Sequence, residues 1–399
     1  MIDQSNSIKS IHNTKTRWQK FEVPFEFPVC FTEFIFNKNN KVFLDIICRK
    51  EKNKKHNMIF FIDEGIAKNY KNLIIELKEY VHYYNKYLNI VTDPILIPGG
   101  EKIKSDLYFV EQIQQSINEF NIDRHSYVIA IGGGAVLDAV GLVAATSHRG
   151  IRHIRMPTTV LSQNDSGVGV KNGVNLFGSK NYVGTFAPPF AVINDINFIS
   201  NLSERDKIAG MAEAIKVALI RDKNFFHWLE SNAENLALFQ KKEMEYMIQR
   251  CAELHMNQIG DGGDPFEMGS ARPLDFGHWS AHKLESMTNY RLRHGEAVAI
   301  GIALDTRYSV LIGMLDQGVE DRICFLLEYL GFNLWNSALE KENIDKNLEL
   351  VKGLKDFQEH LGGELTITLL KEIGVGYEVN DINIEIVKES IKWLKERRK

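Results

Sequence analysis

The sequence predicts an α/β half followed by a mostly helical half, with the change near residue 200. Three observations carry that prediction. Short β-rich runs alternate with helical patterns through the first half, which implies a parallel sheet with crossover helices. One continuous β-branched run, 127–131, ends in three successive glycines. Beyond Leu202, long amphipathic patterns dominate. A chain of 399 residues is long enough for two or three domains at roughly 150 residues each.

In order along the chain, residues 1–28 are mostly polar and read as a loose N-terminal extension without an apolar leader core. The stretches 41–48 and 58–62 are β-rich, the second leading into Asp63. Between 69 and 91, Leu73, Ile74, Leu77, Val81 and Tyr84 recur at helical spacing. A strand over 95–98, a helix over 106–120, the strand over 127–131 and a helix over 135–146 follow. The stretch 162–181 is so rich in Gly, Ser, Asn and Lys that it reads as a long polar loop, not a packed strand. Helices are then expected over 205–221, 225–239, 243–257, 276–288, 295–312, 319–330 and 384–396, with one isolated strand over 365–370. The expected organisation is an extension over 1–28, an α/β domain over 29–200 and a helical domain over 201–399.

Apolar residues make up 44% and charged residues 25%, the mixture of an ordinary soluble globular protein. The net charge of −4 gives no general attraction to nucleic acid or anionic lipid. The longest apolar stretch, 128–145, is interrupted by Asp138 and glycines and is not a membrane span. Cys30, Cys48, Cys251 and Cys324 form no C-x-x-C pair, so a reducing cytoplasm is expected.

Several clusters can carry chemistry. Gly132-Gly133-Gly134 at a strand-to-helix junction lets backbone N–H groups approach a phosphate, although a tight structural turn explains it equally well. The polar stretch 162–181, with Lys171 and Lys180, suits a phosphorylated ligand. Glu213 and Lys216 are three apart on a helix, most simply a solvated surface pair. The densest window, 261–296, holds Arg272, Asp275, His278, His282, His294 and Glu296. His278 and His282 are four apart and share a helix face, a known way to present two imidazoles to zinc, but spacing does not select which histidines bind. The basic end, 392–399, suits a helix C-terminus.

The ordered motifs GGGAVLD, HRG, PTT, DSGVGVKNGVN, SKN, MAEAIK, DFGHWSAH and HGEAVAIGIA resemble the 3-dehydroquinate synthase family of sugar phosphate cyclases over about residues 55–375. In finer texture the chain is similar to the Ebo-cluster type branch. The resemblance implies a Rossmann-like NAD-binding domain followed by a mostly α-helical metal-binding domain, with the active site between them. It implies Glu213, His278 and His294 as ligands of Zn2+, or of Co2+, with His282 left for the substrate phosphate beside Asn181 and Lys216. Implied NAD contacts are Asp63, Glu101, Lys104, Gly133, Gly134, Asp138, Thr158, Thr159 and Lys180. Implied substrate contacts are Arg149, Asp165, Lys171, Glu267 and Arg272. The implied reaction is transient oxidation, phosphate elimination, reduction and aldol closure on a small phosphorylated sugar, with NAD recycled, in a homodimer.

Three departures bear on the substrate. Asp275 stands where the family carries an amide, no lysine lies between Lys242 and Lys283, and Gln358-Glu359-His360 replaces an expected lysine ahead of Gly362-Gly363. Losing two cations and gaining an anion disfavours a doubly anionic substrate, and Asp275 with the EHLGG run resembles the cyclases that act on sedoheptulose 7-phosphate. Lys171 and Arg272 argue for the alternative, a true 3-dehydroquinate synthase. A metal-dependent alcohol dehydrogenase of the glycerol dehydrogenase type shares the expected architecture and is the more distant alternative.

Overall fold

A computed structural model describes residues 9–11, 14–16, 18–177, 179–261, 266, 274–361 and 363–397. Its first half is built on a seven-stranded sheet whose strands, among the described residues, all pair in parallel. Across the sheet run Val29–Thr32, Ala191–Asp195, Arg152–Pro157, Tyr127–Gly132 and His56–Asp63. Two short strands, Leu88–Ile90 and Ile95–Ile97, then pair with successive parts of His56–Asp63. The central strand is buried on both faces: Tyr127, Ile129 and Ile131 enter one core and Val128 and Ala130 the other. That is why its sequence is a continuous apolar run and not an alternating one.

The chain leaves His56–Asp63 toward one edge and returns to place Tyr127–Gly132 on the other side. The order reverses between these two strands, and such a switch point opens a crevice at the strands' carboxyl ends. Asp63 and the glycine turn sit there.

Helices Glu204–Arg221, Lys241–Asp261, His278–Met287 and His294–Leu311 form the centre of the second half around one large core. The latter two pack closely because Gly277 and Gly301 meet. A Cβ on Gly301 would lie 2.0 Å from Gly277 O, and Gly277 itself needs φ +76°. This contact fixes how the two histidine-bearing helix starts face each other.

Several expectations fail here. The 41–48 run is the helix Val42–Cys48, because Phe43, Ile46 and Ile47 fall at helical spacing and bury together, overriding β-propensity. The strand Val29–Thr32 was not anticipated, and Lys9–Ile11 pairs with Thr14–Thr16 inside the expected loose extension. The polar stretch becomes a hairpin, Lys171–Leu176 against Ser179–Phe186. Its buried Asn172 accepts from Arg155 and donates to backbone carbonyls, so polar residues are satisfied inside a strand. The 225–239 helix breaks at Asn232 into Lys223–Ser231 and Ala233–Ala237. Ile367–Glu372 is not isolated but pairs with Val375–Val379, and Lys352–Leu361 adds a helix. No helix among the described residues is long and apolar enough to cross a membrane.

Candidate functional site

The Glu213–Lys216 pair is not on the surface. Both residues lie in the buried centre of Glu204–Arg221, with Glu213 fully inaccessible and Lys216 paired to its Oε2. Glu213 Oε1 is 3.6 Å from His278 Nε2 and 3.5 Å from His294 Nε2. Neither carboxylate oxygen makes a hydrogen bond of good geometry. One atom from each of Glu213, His278 and His294 falls within 4.8 Å of the others. Two imidazoles and a carboxylate converging on a common point, with the carboxylate oxygen that faces the imidazoles lacking a hydrogen bond, fit a divalent cation of the zinc type with an open coordination position.

The outer contacts support that fit. His278 Nδ1 faces Phe276 O at 3.1 Å, and His294 Nδ1 faces Glu285 Oε2 at 3.1 Å, leaving both Nε2 atoms turned to Glu213. Burial opposes a charge on His294, yet Glu285 and Glu213 overcome it and push its pKa up to about 10. Burial and the neighbouring His278 lower His282 to about 3, and its ring lies 5.4 Å from that of His278 and 5.9 Å from that of His294. His282, Glu285 and His294 form a second trio within reach of a cation, but Glu285 is already committed to Lys180 at 2.7 Å and to His294. Spacing places His278 and His282 on one helix face; the tertiary structure brings His278 to His294 and Glu213. Asp275 bears electrostatically on Lys216, His278 and His282.

At the sheet edge, Gly133 caps the Gly134–Thr146 helix, and a Cβ on Gly134 would lie 2.6 Å from Ser166 Oγ. Asp63 accepts from Gly65 N at 2.7 Å, and burial raises its carboxyl. Thr158 N donates to Gly132 O at 3.0 Å, while Thr159 exchanges hydrogen bonds with Ser162. Lys104 Nζ contacts Asp138 Oδ2 at 2.7 Å and Asn181 Oδ1 at 2.5 Å. Asn181 N donates to Asn175, whose amide reaches Glu101, and Lys180 lies 3.7 Å from Glu101. A polar chain thus runs from Asp138 in the Gly134–Thr146 helix to His294 at the cation pocket, through the hairpin and Glu285.

Two further residues were missed by sequence reasoning. Buried Arg155 donates to the carbonyls of Gly169 and Lys171 at 2.9 and 2.7 Å, and so holds the segment bearing Asp165 and Lys171. Glu285 reads as one more polar helix position and gave no local signal. Asn181 accepts from Lys104. Exposed Arg149 follows the C-terminal end of the 13-residue helix that begins at Gly134, about 20 Å along its axis from the glycine turn. Glu296 closes a capping box at the start of its helix and pairs with Arg205 at 2.5 Å, a structural role. Glu267 and Arg272 lie outside the described residues.

A parallel-sheet domain with a glycine turn at its switch point, set against a helical domain carrying a Glu-His-His cluster, defines a two-domain enzyme architecture with a cofactor edge and a cation pocket. Residues 94–209 match the N-terminal part of 3-dehydroquinate synthase and residues 210–356 its C-terminal part. The chain is 35% identical over 300 residues to the 3-dehydroquinate synthase of Shewanella frigidimarina, covering 75% of this chain and 82% of that one. It belongs to the 3-dehydroquinate synthase family. Among solved structures it is similar to ValA, a 2-epi-5-epi-valiolone synthase from Streptomyces hygroscopicus subsp. jinggangensis with NAD+ and Zn2+ bound, at TM-score 0.83 and 25% identity, covering 95% and 100% of the two chains. It shares its fold with a 2-deoxy-scyllo-inosose synthase complexed with carbaglucose-6-phosphate, NAD+ and Co2+, at TM-score 0.74 and 23% identity, covering 92% and 96%.

Proposed function

We propose that this chain is an NAD- and zinc-dependent cyclase of a seven-carbon sugar phosphate, with sedoheptulose 7-phosphate as its substrate. The observation that carries the reading is the buried Glu213–His278–His294 cluster with Lys216 against it, in a 3-dehydroquinate synthase family fold. Residues 29–200 would form the NAD-binding domain and 201–399 the metal- and substrate-binding domain. Glu213, His278 and His294 would hold Zn2+, or Co2+ in its place. Bound metal and NAD supply polarisation of a hydroxyl and reversible hydride acceptance at its carbon.

The chain's own residues do the rest. Backbone N–H groups at Gly133 and Gly134 and the helix they open favour the cofactor's pyrophosphate. Lys104, Asp138, Glu101, Thr158 and Thr159 line the same edge, and Lys180 spans from it to Glu285. Lys216 and His282 border the cation position and present a cation and an imidazole to the substrate phosphate. Asp165 and Lys171 stand on the segment fastened by Arg155.

Asp275 supports the choice of substrate. A carboxylate acting on Lys216, His278 and His282, with no lysine between Lys242 and Lys283, lowers the positive charge offered to a second anionic group. A true 3-dehydroquinate synthase is the second reading, favoured by Lys171 and by the 35% identity to a curated relative of that name. Arg149, at the end of its helix away from the glycine turn, would serve a site presented by a second copy in a homodimer. The four free cysteines suit a cytoplasmic setting.

Phosphate release by zinc-loaded protein with NAD+ tests the reading. Release from sedoheptulose 7-phosphate alone is the expected result. Release from the seven-carbon 3-deoxy-2-ulosonic acid phosphate with dehydroquinate formed establishes the second reading, and release from neither defeats both.

A further inference from the structure

A buried imidazole outside the implied site set stands beside the cation pocket. His255 lies in the last turns of Lys241–Asp261, a helix that packs on the Ser162–Ser166 turn and on Glu204–Arg221. Its Nδ1 is 3.2 Å from Asp165 Oδ1. Its Nε2 is buried with no hydrogen-bond partner, and His255 as a whole is only 7% exposed. Asp165, Glu213 and His255 each bring an atom within 4.8 Å of the others. Unpartnered nitrogens at such depth are rare in native proteins and call for a missing partner.

A second cation is the first partner such a trio suggests. Lys216 opposes it: its ammonium pairs with Glu213 Oε2 and acts on His255, as does Lys171. A carboxylate is opposed in turn by Asp165 and Glu213. A hydroxyl is opposed by neither, and it can donate. We propose that His255 contacts the substrate, with Nδ1–H held by Asp165 and Nε2 accepting a hydrogen bond from a hydroxyl of the sugar carbon chain. This deepens the cyclase reading and rests on it. His255 lies in a stretch, from Lys242 to Lys283, with no lysine between its ends. The imidazole offers an acceptor and no charge, so this wall recognises a polyhydroxy chain.

The test compares wild type, His255→Leu and His255→Gln, each loaded with zinc and NAD+. KM, kcat, zinc content and the thermal shift produced by sedoheptulose 7-phosphate are measured. His255→Leu is expected to raise KM about tenfold and to lose most of the thermal shift, with one zinc per chain retained. His255→Gln, whose amide oxygen can accept the same hydroxyl, is expected to recover most of both. It also serves if the leucine variant fails to fold. Unchanged KM and thermal shift in both variants overturn the assignment. So does a wild type with two metal ions per chain that falls to one on substitution. Failure of the cyclase reading is separate, because wild type alone would then release phosphate from neither seven-carbon compound.

Discussion

The sheet edge and the helical pocket use opposite materials. At the edge the chain exposes backbone: glycines, a helix start and small hydroxyl residues, with charges arranged around them. In the pocket it buries charge, with Glu213, Lys216 and Glu285 almost wholly inaccessible and compensated by one another or by imidazoles. Backbone donors cost little to present and tolerate change nearby. A buried carboxylate is tolerable only while its partners remain, so each pocket residue depends on the others. The pocket is therefore the more brittle region.

Glu213→Gln gives the largest expected effect. It removes the charge on which both imidazoles converge, and zinc content should fall from one per chain with activity down by more than about 100-fold. Metal analysis beside phosphate release checks this, and the variant should still bind NAD. If zinc is retained, the cluster is not the metal centre. Glu285→Gln comes next. It leaves His294 without its anionic partner and frees Lys180, so zinc affinity should drop by about 10- to 100-fold, read by chelator competition. Gly134→Ala sharpens the contrast from the other side: its Cβ would press on Ser166 Oγ, weakening NAD binding about tenfold at a fold cost near 1 kcal/mol, with zinc content untouched. Calorimetric titration of NAD and a melting curve decide it.

The smallest effect concerns Asp305. It accepts from Trp279 Nε1 at 2.9 Å and Gly277 N at 3.2 Å, and burial raises its carboxyl to about 7 from 3.8. Because the folded state keeps the proton that the unfolded state has lost, Asp305 costs stability as pH rises from about 4 to about 7. Asp305→Asn should be less stable than wild type at pH 4 to 5, and the gap should narrow toward pH 7 or above. Paired melting curves across that range would reveal a constant gap if the carboxyl titrates normally.

Legibility differed between the regions for a physical reason. The edge is local: a buried strand, three glycines and a helix lie within twenty residues, and periodicity finds them. The pocket gathers Glu213, His278 and His294 from three helices, and no spacing rule links them. Motif resemblance named these three, while helical spacing pointed to His278 with His282 and treated Glu213 and Lys216 as surface residues. Burial is a property of what packs outside a helix, so the same i,i+3 pair reads alike in solvent and in a core.

The sequence by itself determined the two-part architecture, the buried central strand, the glycine turn and the family, because each is written in contiguous patterns whose physics is local. Only the tertiary structure decided that Glu213 and Lys216 are interior, that Glu285 and Lys180 join the hairpin to the cation pocket, that Arg155 fastens the segment bearing Asp165, and that His255 comes close to Asp165 and Glu213. Those are consequences of packing between segments up to about a hundred residues apart, where desolvation and pairing set each side chain's role.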